Sequence, residues 1–221
     1  MPILAGPSVA GIALTYAVEG TAGLRQLFSR IGRWRVDARW YAAALLIFPV
    51  LTLVGLLALA VVVSPAFRPG FFALGIVLGL MAGFIEEIGW MGFAFPRMES
   101  TLGTWKATLY LGLLHGLWHI VGDYLGASTA SGGYWFPRFF AMWGIGMTAM
   151  RIILVWIYKN SGSLLLAQLT HASSTGFLLV FGPSPISPAN ETLWFAAHAV
   201  VLWLAAAVVL ARYGKGLVRS P

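Results

Sequence analysis

Polar residues in this chain are swept out of long stretches and gathered between them. Seven stretches are apolar all round: about 3–18, 40–63, 71–95, 105–124, 139–158, 164–181 and 193–211. A helix that crosses a bilayer needs about 20 apolar residues, and each stretch comes near that length. Backbone groups in lipid must be satisfied within their own segment, so these blocks predict helices. A membrane β-barrel would alternate apolar and polar positions in runs of ~10 residues, and these blocks do not. The expected fold is therefore all-α: a polytopic bundle of about seven transmembrane helices.

The residues between the blocks agree with this reading. Trp34, Trp40, Trp105, Tyr124, Tyr134, Trp135, Tyr158 and Tyr213 stand near block ends, where aromatic rings anchor at the interface. One alternate set of loops holds Arg25, Arg30, Arg33, Arg35, Arg39, Arg97, Lys106, Lys159, Arg212, Lys215 and Arg219, and the other holds only Arg68 and Arg138. That asymmetry puts the first set, and with it the C-terminus, in the cytoplasm, and leaves the N-terminus outside. The poorly charged loops at 64–70, 126–137 and 182–190 are rich in Gly, Ser and Pro, as turns should be.

Composition narrows the picture further. Of 221 residues, 59% are hydrophobic and 10% charged, against about 25% charged in a soluble domain. Almost the whole chain is consumed by the apolar blocks, so residues 1–221 form a single membrane domain, with its chemistry-bearing core at about 71–182. The net charge of +7 sits in short loops, where topology accounts for it better than nucleic acid does. The expected partner is membrane lipid, with no nucleic acid. With no cysteine, disulfides and thiolate metal sites are excluded.

Against this background the ionisable residues inside the blocks stand out, since one charge at the bilayer centre costs about 2.5–3.5 kcal/mol even on the mildest scale. Glu86 and Glu87 are adjacent in the third block. Helix neighbours point about 100° apart, so one carboxylate is expected to face a cavity and the other a supporting partner. Arg97, Arg151 or a histidine are the available partners. His115 and His119 in the fourth block share a face at i, i+4, a spacing that also lets two rings reach one metal ion. His171 in the sixth block shares its face with Gln168 and Thr175. At 1.5 Å per residue, Glu86, His115 and His171 lie at similar depths and His119 one turn further. His198 has no polar companion at helical spacing and reads as a packing residue. Arg151, in mid-block, is expected to snorkel or to pair with a glutamate. Asp123, at a helix end, is expected at the interface.

In this order these residues resemble the CPBP family of intramembrane proteases, which includes CAAX prenyl protease 2 and bacteriocin-processing proteins and is also called ABI. The family's first motif, Glu-Glu-x-x-x-Arg followed by Gly and an aromatic residue, reads here Glu86-Glu87-Ile88-Gly89-Trp90-Met91-Gly92-Phe93. Its second, an aromatic residue, three others and His, reads His115-Gly116-Leu117-Trp118-His119. Its third, His-x-x-x-Asn or Asp, reads His171-Ala172-Ser173-Ser174-Thr175. Met91, His115 and Thr175 depart from the pattern, replacing arginine, an aromatic residue and asparagine. The family fold has eight membrane helices. The seven blocks here imply that the chain begins late or that the family's first helix is missing.

The resemblance implies an endopeptidase that hydrolyses a peptide bond of a membrane-associated, prenylated or leader-type substrate, in a bacterial cytoplasmic membrane. Glu86 would activate water, Glu87 would support it and His119 would orient the water. His171 and Thr175 would stabilise the oxyanion. A glutamate-activated water needs no cofactor. The alternative is zinc, held by His115 and His119 with His171 or Glu86 as third ligand and water as fourth. Two other readings are a non-catalytic immunity or scaffold protein with a degenerate site, for which Met91 and Thr175 speak, and a proton-coupled carrier, for which an internal repeat is lacking.

Overall fold

The computed structural model describes residues 2–218; Arg219, one of the basic residues used for orientation, lies outside the described residues. Among these there is no strand. The helices are α1 (Pro2–Ile31), α2 (Ala38–Val62), α3 (Leu74–Glu87), α4 (Phe95–Trp118), α5 (Ile120–Ser131), α6 (Trp135–Phe139), α7 (Met147–Ser161), α8 (Leu164–Phe181) and α9 (Pro188–Tyr213). Two stretches of π-helix, Ile88–Ala94 and Phe140–Gly146, join α3 to α4 and α6 to α7.

All seven apolar blocks are helical, but they do not map one to one onto continuous rods. Among the described residues, five helices are long and apolar enough to cross a membrane: Ala38–Val62, Leu74–Trp118, Ile120–Ser161, Leu164–Phe181 and Pro188–Tyr213. The second and third, at 45 and 42 residues, far exceed the ~30 Å hydrocarbon core at 1.5 Å per residue. Each is broken at a glycine of positive φ, Gly103 (74°) and Gly132 (53°), a backbone conformation that costs glycine little. These breaks turn two rods into three legs, which carry the blocks at 71–95, 105–124 and 139–158. The block at 3–18 lies in α1, outside those five helices. α1 bends at Gly20.

Large apolar side chains cover the outside, among them Val61, Val62, Phe71 and Leu125, while Glu86, Glu87, His115 and Arg151 are enclosed. That inversion suits a lipid surround, where apolar side chains gain nothing by hiding and helices associate through close packing of small residues. The packing of α3 on α8 shows how. Gly75, Gly79 and Gly83 recur at i+4 on one face of α3. A Cβ at Gly79 would stand 2.4 Å from the Ala172 carbonyl oxygen, and one at Gly83 2.3 Å from that of Gln168. Backbone therefore meets backbone, and no flexible side chain can yield. Gly83→Ala is expected to lower stability by about 1–3 kcal/mol through overpacking, read as a lower midpoint of thermal unfolding in detergent. Gly126→Ala, with open space around it, serves as the control and should shift it far less.

α7 and α8 are joined by a tight turn. Gly162 ends α7 in the left-handed conformation, and the Ser163 hydroxyl caps α8 by accepting from the Leu166 amide at 3.3 Å. The turn sets Arg151 and His171 at similar distances from one end of the bundle. At that end Arg30 donates to the Gly92 carbonyl at 2.6 Å and to the Tyr158 hydroxyl at 3.1 Å. Arg97 pairs with Glu19, and Lys159 with Glu99.

Candidate active site

The glycine face of α3 decides which glutamate points where. Positions 75, 79 and 83 continue at i+4 to 87, so Glu87 faces α8. There the Nδ1 of His171 lies 2.7 Å from its Oε1. Glu86 is turned by about 100° toward α4, and its Oε2 lies 2.9 Å from the Nε2 of His115. Between the two stands Arg151 of α7. Its Nη1 donates to both oxygens of Glu87, at 3.0 and 2.8 Å, and its Nη2 donates to the Nδ1 of His115. One guanidinium thus ties three helices together. Glu87, His115 and Arg151 are fully buried, and Glu86 and His171 are exposed by 1% and 2%. Buried charges persist only when paired and hydrogen-bonded, and here they are.

Both π-helical stretches border this cluster. The first begins directly after Glu87, and its wide turn is marked by the Phe95 amide donating to the Trp90 carbonyl five residues back. Trp90 packs against His115, with ring centres 4.9 Å apart. The second carries Trp143, which stacks on His119 at 3.8 Å and 14°. Departures of this kind from α-helical winding are frequent at functional sites.

The structure brings Glu86, Glu87, His115 and His171 into one cluster, as the depth argument anticipated. It sets His119 one turn further on, its ring centre 5.3 Å from that of His115 and its buried Nε2 without a hydrogen-bond partner. The ring on Glu86 is therefore His115, not the motif histidine His119. Thr175 makes no direct bond to the cluster. It lines a cavity of about 260 Å³ together with Met142, Trp143, Met147, Met150 and Leu178. His198 lines the same cavity and meets Thr52 of α2 at 3.4 Å, in keeping with a packing role. Of the partners considered for the glutamates, Arg151 and the histidines take that place, while Arg97 is engaged with Glu19.

Asp123, expected at the interface from its place at a helix end, is covered there by protein. It is 7% exposed and receives Nη1 of Arg138 at 2.9 Å on each oxygen. The indole nitrogens of Trp135 and Trp143 complete it at 2.9 and 3.0 Å. Arg138 reaches on to Glu191 at 3.1 Å. These donors come from α6 and the following π-stretch, which fold back on α5 after Gly132. Helical spacing along α5 alone could not show them. Residues missed by sequence reasoning are thus Asp123, Trp143 and, as a shared partner of Glu87 and His115, Arg151. The glycine ladder was a readable signal for the direction of Glu87.

Glu86, His115 and His171 each offer a ligand atom, and these atoms lie within 4.8 Å of one another. His119, also proposed as a ligand from its spacing, is not in that group. An apolar-skinned helical bundle enclosing carboxylates, imidazoles and a guanidinium defines an integral membrane protein with its polar chemistry buried inside the bundle.

Comparison with known proteins sharpens that class. Residues 68–177, which hold all three motifs, match the family model described as type II CAAX prenyl endopeptidase Rce1-like. CAAX prenyl protease 2 of Methanococcus maripaludis is 28% identical over 136 residues, 59% of this chain and 47% of that protein. The chain spans about half the length of the curated relative it matches. The chain belongs to the CPBP family of CAAX-type intramembrane proteases.

Proposed function

We propose that this chain is an endopeptidase that hydrolyses a peptide bond of a membrane-associated substrate, with Glu86 as the base that activates water. The observation that carries this reading is the Glu86–His115 pair, 2.9 Å apart and fully enclosed within a bundle whose outer surface is apolar. Glu86 takes a proton from water as the water oxygen bonds to the substrate carbonyl carbon. The buried, unpartnered Nε2 of His119 orients that water. The oxyanion forms beside His171 and Thr175, where hydrogen-bond donors stabilise developing charge. The carbon–nitrogen bond then breaks, and the proton held by Glu86 passes to the leaving amine. The largely apolar cavity next to Thr175 suits an apolar substrate side chain near the cut bond.

The donor set does not fit a catalytic zinc ion. A guanidinium only donates hydrogen bonds, so Arg151 makes Nδ1 of His115 an acceptor and leaves the ring proton on Nε2. Nε2 is the nitrogen on the Glu86 side, and ligation there would turn an N–H of Nδ1 against the guanidinium. The reading therefore runs without a metal.

Arg151 also bears on the degenerate-site alternative. Met91 lacks the charge expected at its motif position, yet Glu87 has a guanidinium from α7. The test is reconstitution in liposomes with membrane-anchored peptides, with and without a prenylated cysteine near the C-terminus, and mass spectrometry of the products. Wild type is expected to cut at one bond, with or without chelator. Absence of any cut peptide, together with unchanged cellular function of Glu86→Gln, would favour the scaffold. Loss of cutting in chelator would restore the metal.

A further inference from the structure

Four buried groups in this site can carry their protons in more than one way: Glu86, Glu87, His115 and His171. A fifth, Arg151, cannot, because its guanidinium stays charged and presents only donors. It touches two of the four directly, which constrains the hydrogen-bond pattern. Nη2 of Arg151 meets Nδ1 of His115, so that nitrogen must offer a lone pair. The neutral ring then carries its hydrogen on Nε2 and donates to Oε2 of Glu86 at 2.9 Å. Nη1 of Arg151 meets both oxygens of Glu87, which holds that carboxylate ionised and therefore acceptor-only. The nitrogen of His171 that lies 2.7 Å from Glu87, Nδ1, must then be a donor. Neutral His171 is left with its lone pair on Nε2.

We propose that Arg151 is a positioning residue that fixes the two histidines in opposite tautomers, with His115 bearing hydrogen on Nε2 and His171 bearing it on Nδ1. The inference rests on the peptidase reading for its meaning but not for its test. In that reading it changes the part of His171. At rest His171 accepts a hydrogen bond, which suits it to hold the nucleophilic water beside Glu86. It becomes an oxyanion donor only while the proton that Glu86 took from water is held on its Nε2, before that proton passes to the leaving amine. His115, conversely, holds the Glu86 carboxylate by donation and has no lone pair free on that side.

The chain has four histidines, so nitrogen NMR of the full-length protein, labelled at histidine and held in detergent micelles, resolves each ring. Single His→Gln variants at 115, 119, 171 and 198 assign the signals. For wild type, His115 is expected to show Nε2 in the protonated range and Nδ1 in the unprotonated range, and His171 the reverse. In Arg151→Met, His115 is expected to lose its single form and show both tautomers. If that variant does not fold, the wild-type spectrum alone decides. Hydrogen on Nδ1 of His115 in wild type, hydrogen on both nitrogens of His171, the same tautomer in both rings, or an unchanged His115 in folded Arg151→Met would each overturn the proposal. Opposite tautomers in a protein that cuts no peptide would sink the peptidase reading alone. Peptide cleavage by a protein with equal tautomers would sink this inference alone.

Discussion

Exchanging Glu86 for glutamine is expected to lower the turnover of peptide cleavage by about 10²–10⁴-fold, the usual contribution of a positioned general base, with KM nearly unchanged. The exchange is close to isosteric. The amide oxygen of glutamine still accepts from Nε2 of His115, as Oε2 of Glu86 does now at 2.9 Å. Only the capacity to take a proton is gone, so the unfolding midpoint should stay near that of wild type. The measurement is initial rate against peptide concentration in liposomes, with thermal unfolding of the same preparation. A loss of turnover accompanied by a collapsed midpoint would mean that Glu86 holds the bundle together. Full turnover would remove Glu86 from the chemistry altogether.

The second large effect is on stability. Glu87→Leu is expected to cost about 3–5 kcal/mol, because it removes one partner of a buried ion pair and leaves the charge of Arg151 uncompensated. The pair is fully enclosed, so water cannot take the place of the lost carboxylate. The double variant Glu87→Leu/Arg151→Met removes both charges, and apolar replacement of a whole buried pair is often neutral or better. It should recover most of the loss while remaining inactive, since His171 loses its acceptor and His115 its donor. Reversible denaturation in mixed micelles, with a double-mutant cycle over the two positions, reads both statements. Independent, additive losses would mean that the two side chains do not act as a pair.

How far the site could be read beforehand depended on whether its contacts run along one helix or between several. The apolar blocks, the i, i+4 relation of His115 and His119, and the common depth of Glu86, His115 and His171 are properties of single segments, and all are found in the fold. The partner of Glu86 is not such a property. It follows from how the leg after Gly103 is rotated against α3, a relation between two legs that periodicity along either one does not reveal. The motif pattern gave His119 the task of orienting water and left open which histidine meets Glu86; the fold presents His115. Asp123 stands at the end of its block, where exposure is the natural expectation, yet α6 returns over it and buries it under Arg138, Trp135 and Trp143. Arg151 was visible as a charge in the wrong solvent, with a glutamate among its possible partners. Its second contact, to His115, needed α7 to be seen between α3 and α4. The ladder from Gly75 to Glu87 was legible throughout and shows where close backbone approach delivers a carboxylate.

The wide turn between Glu87 and Phe95 makes azimuth a functional coordinate of this protein. An α-helix advances by about 100° with each residue. Deleting one residue from Ile88–Ala94 could regularise the winding only by turning α3 against residues 95–102, which run to the break at Gly103. With Phe95 held on Tyr158 and Arg97 on Glu19, such a turn would carry Glu86 off His115 while leaving hydrophobicity and the motif glutamates and histidines intact. A chain altered in this way would look complete on paper and be miswired in the bilayer, so in this bundle a deletion just after the glutamates weighs more than many substitutions among them.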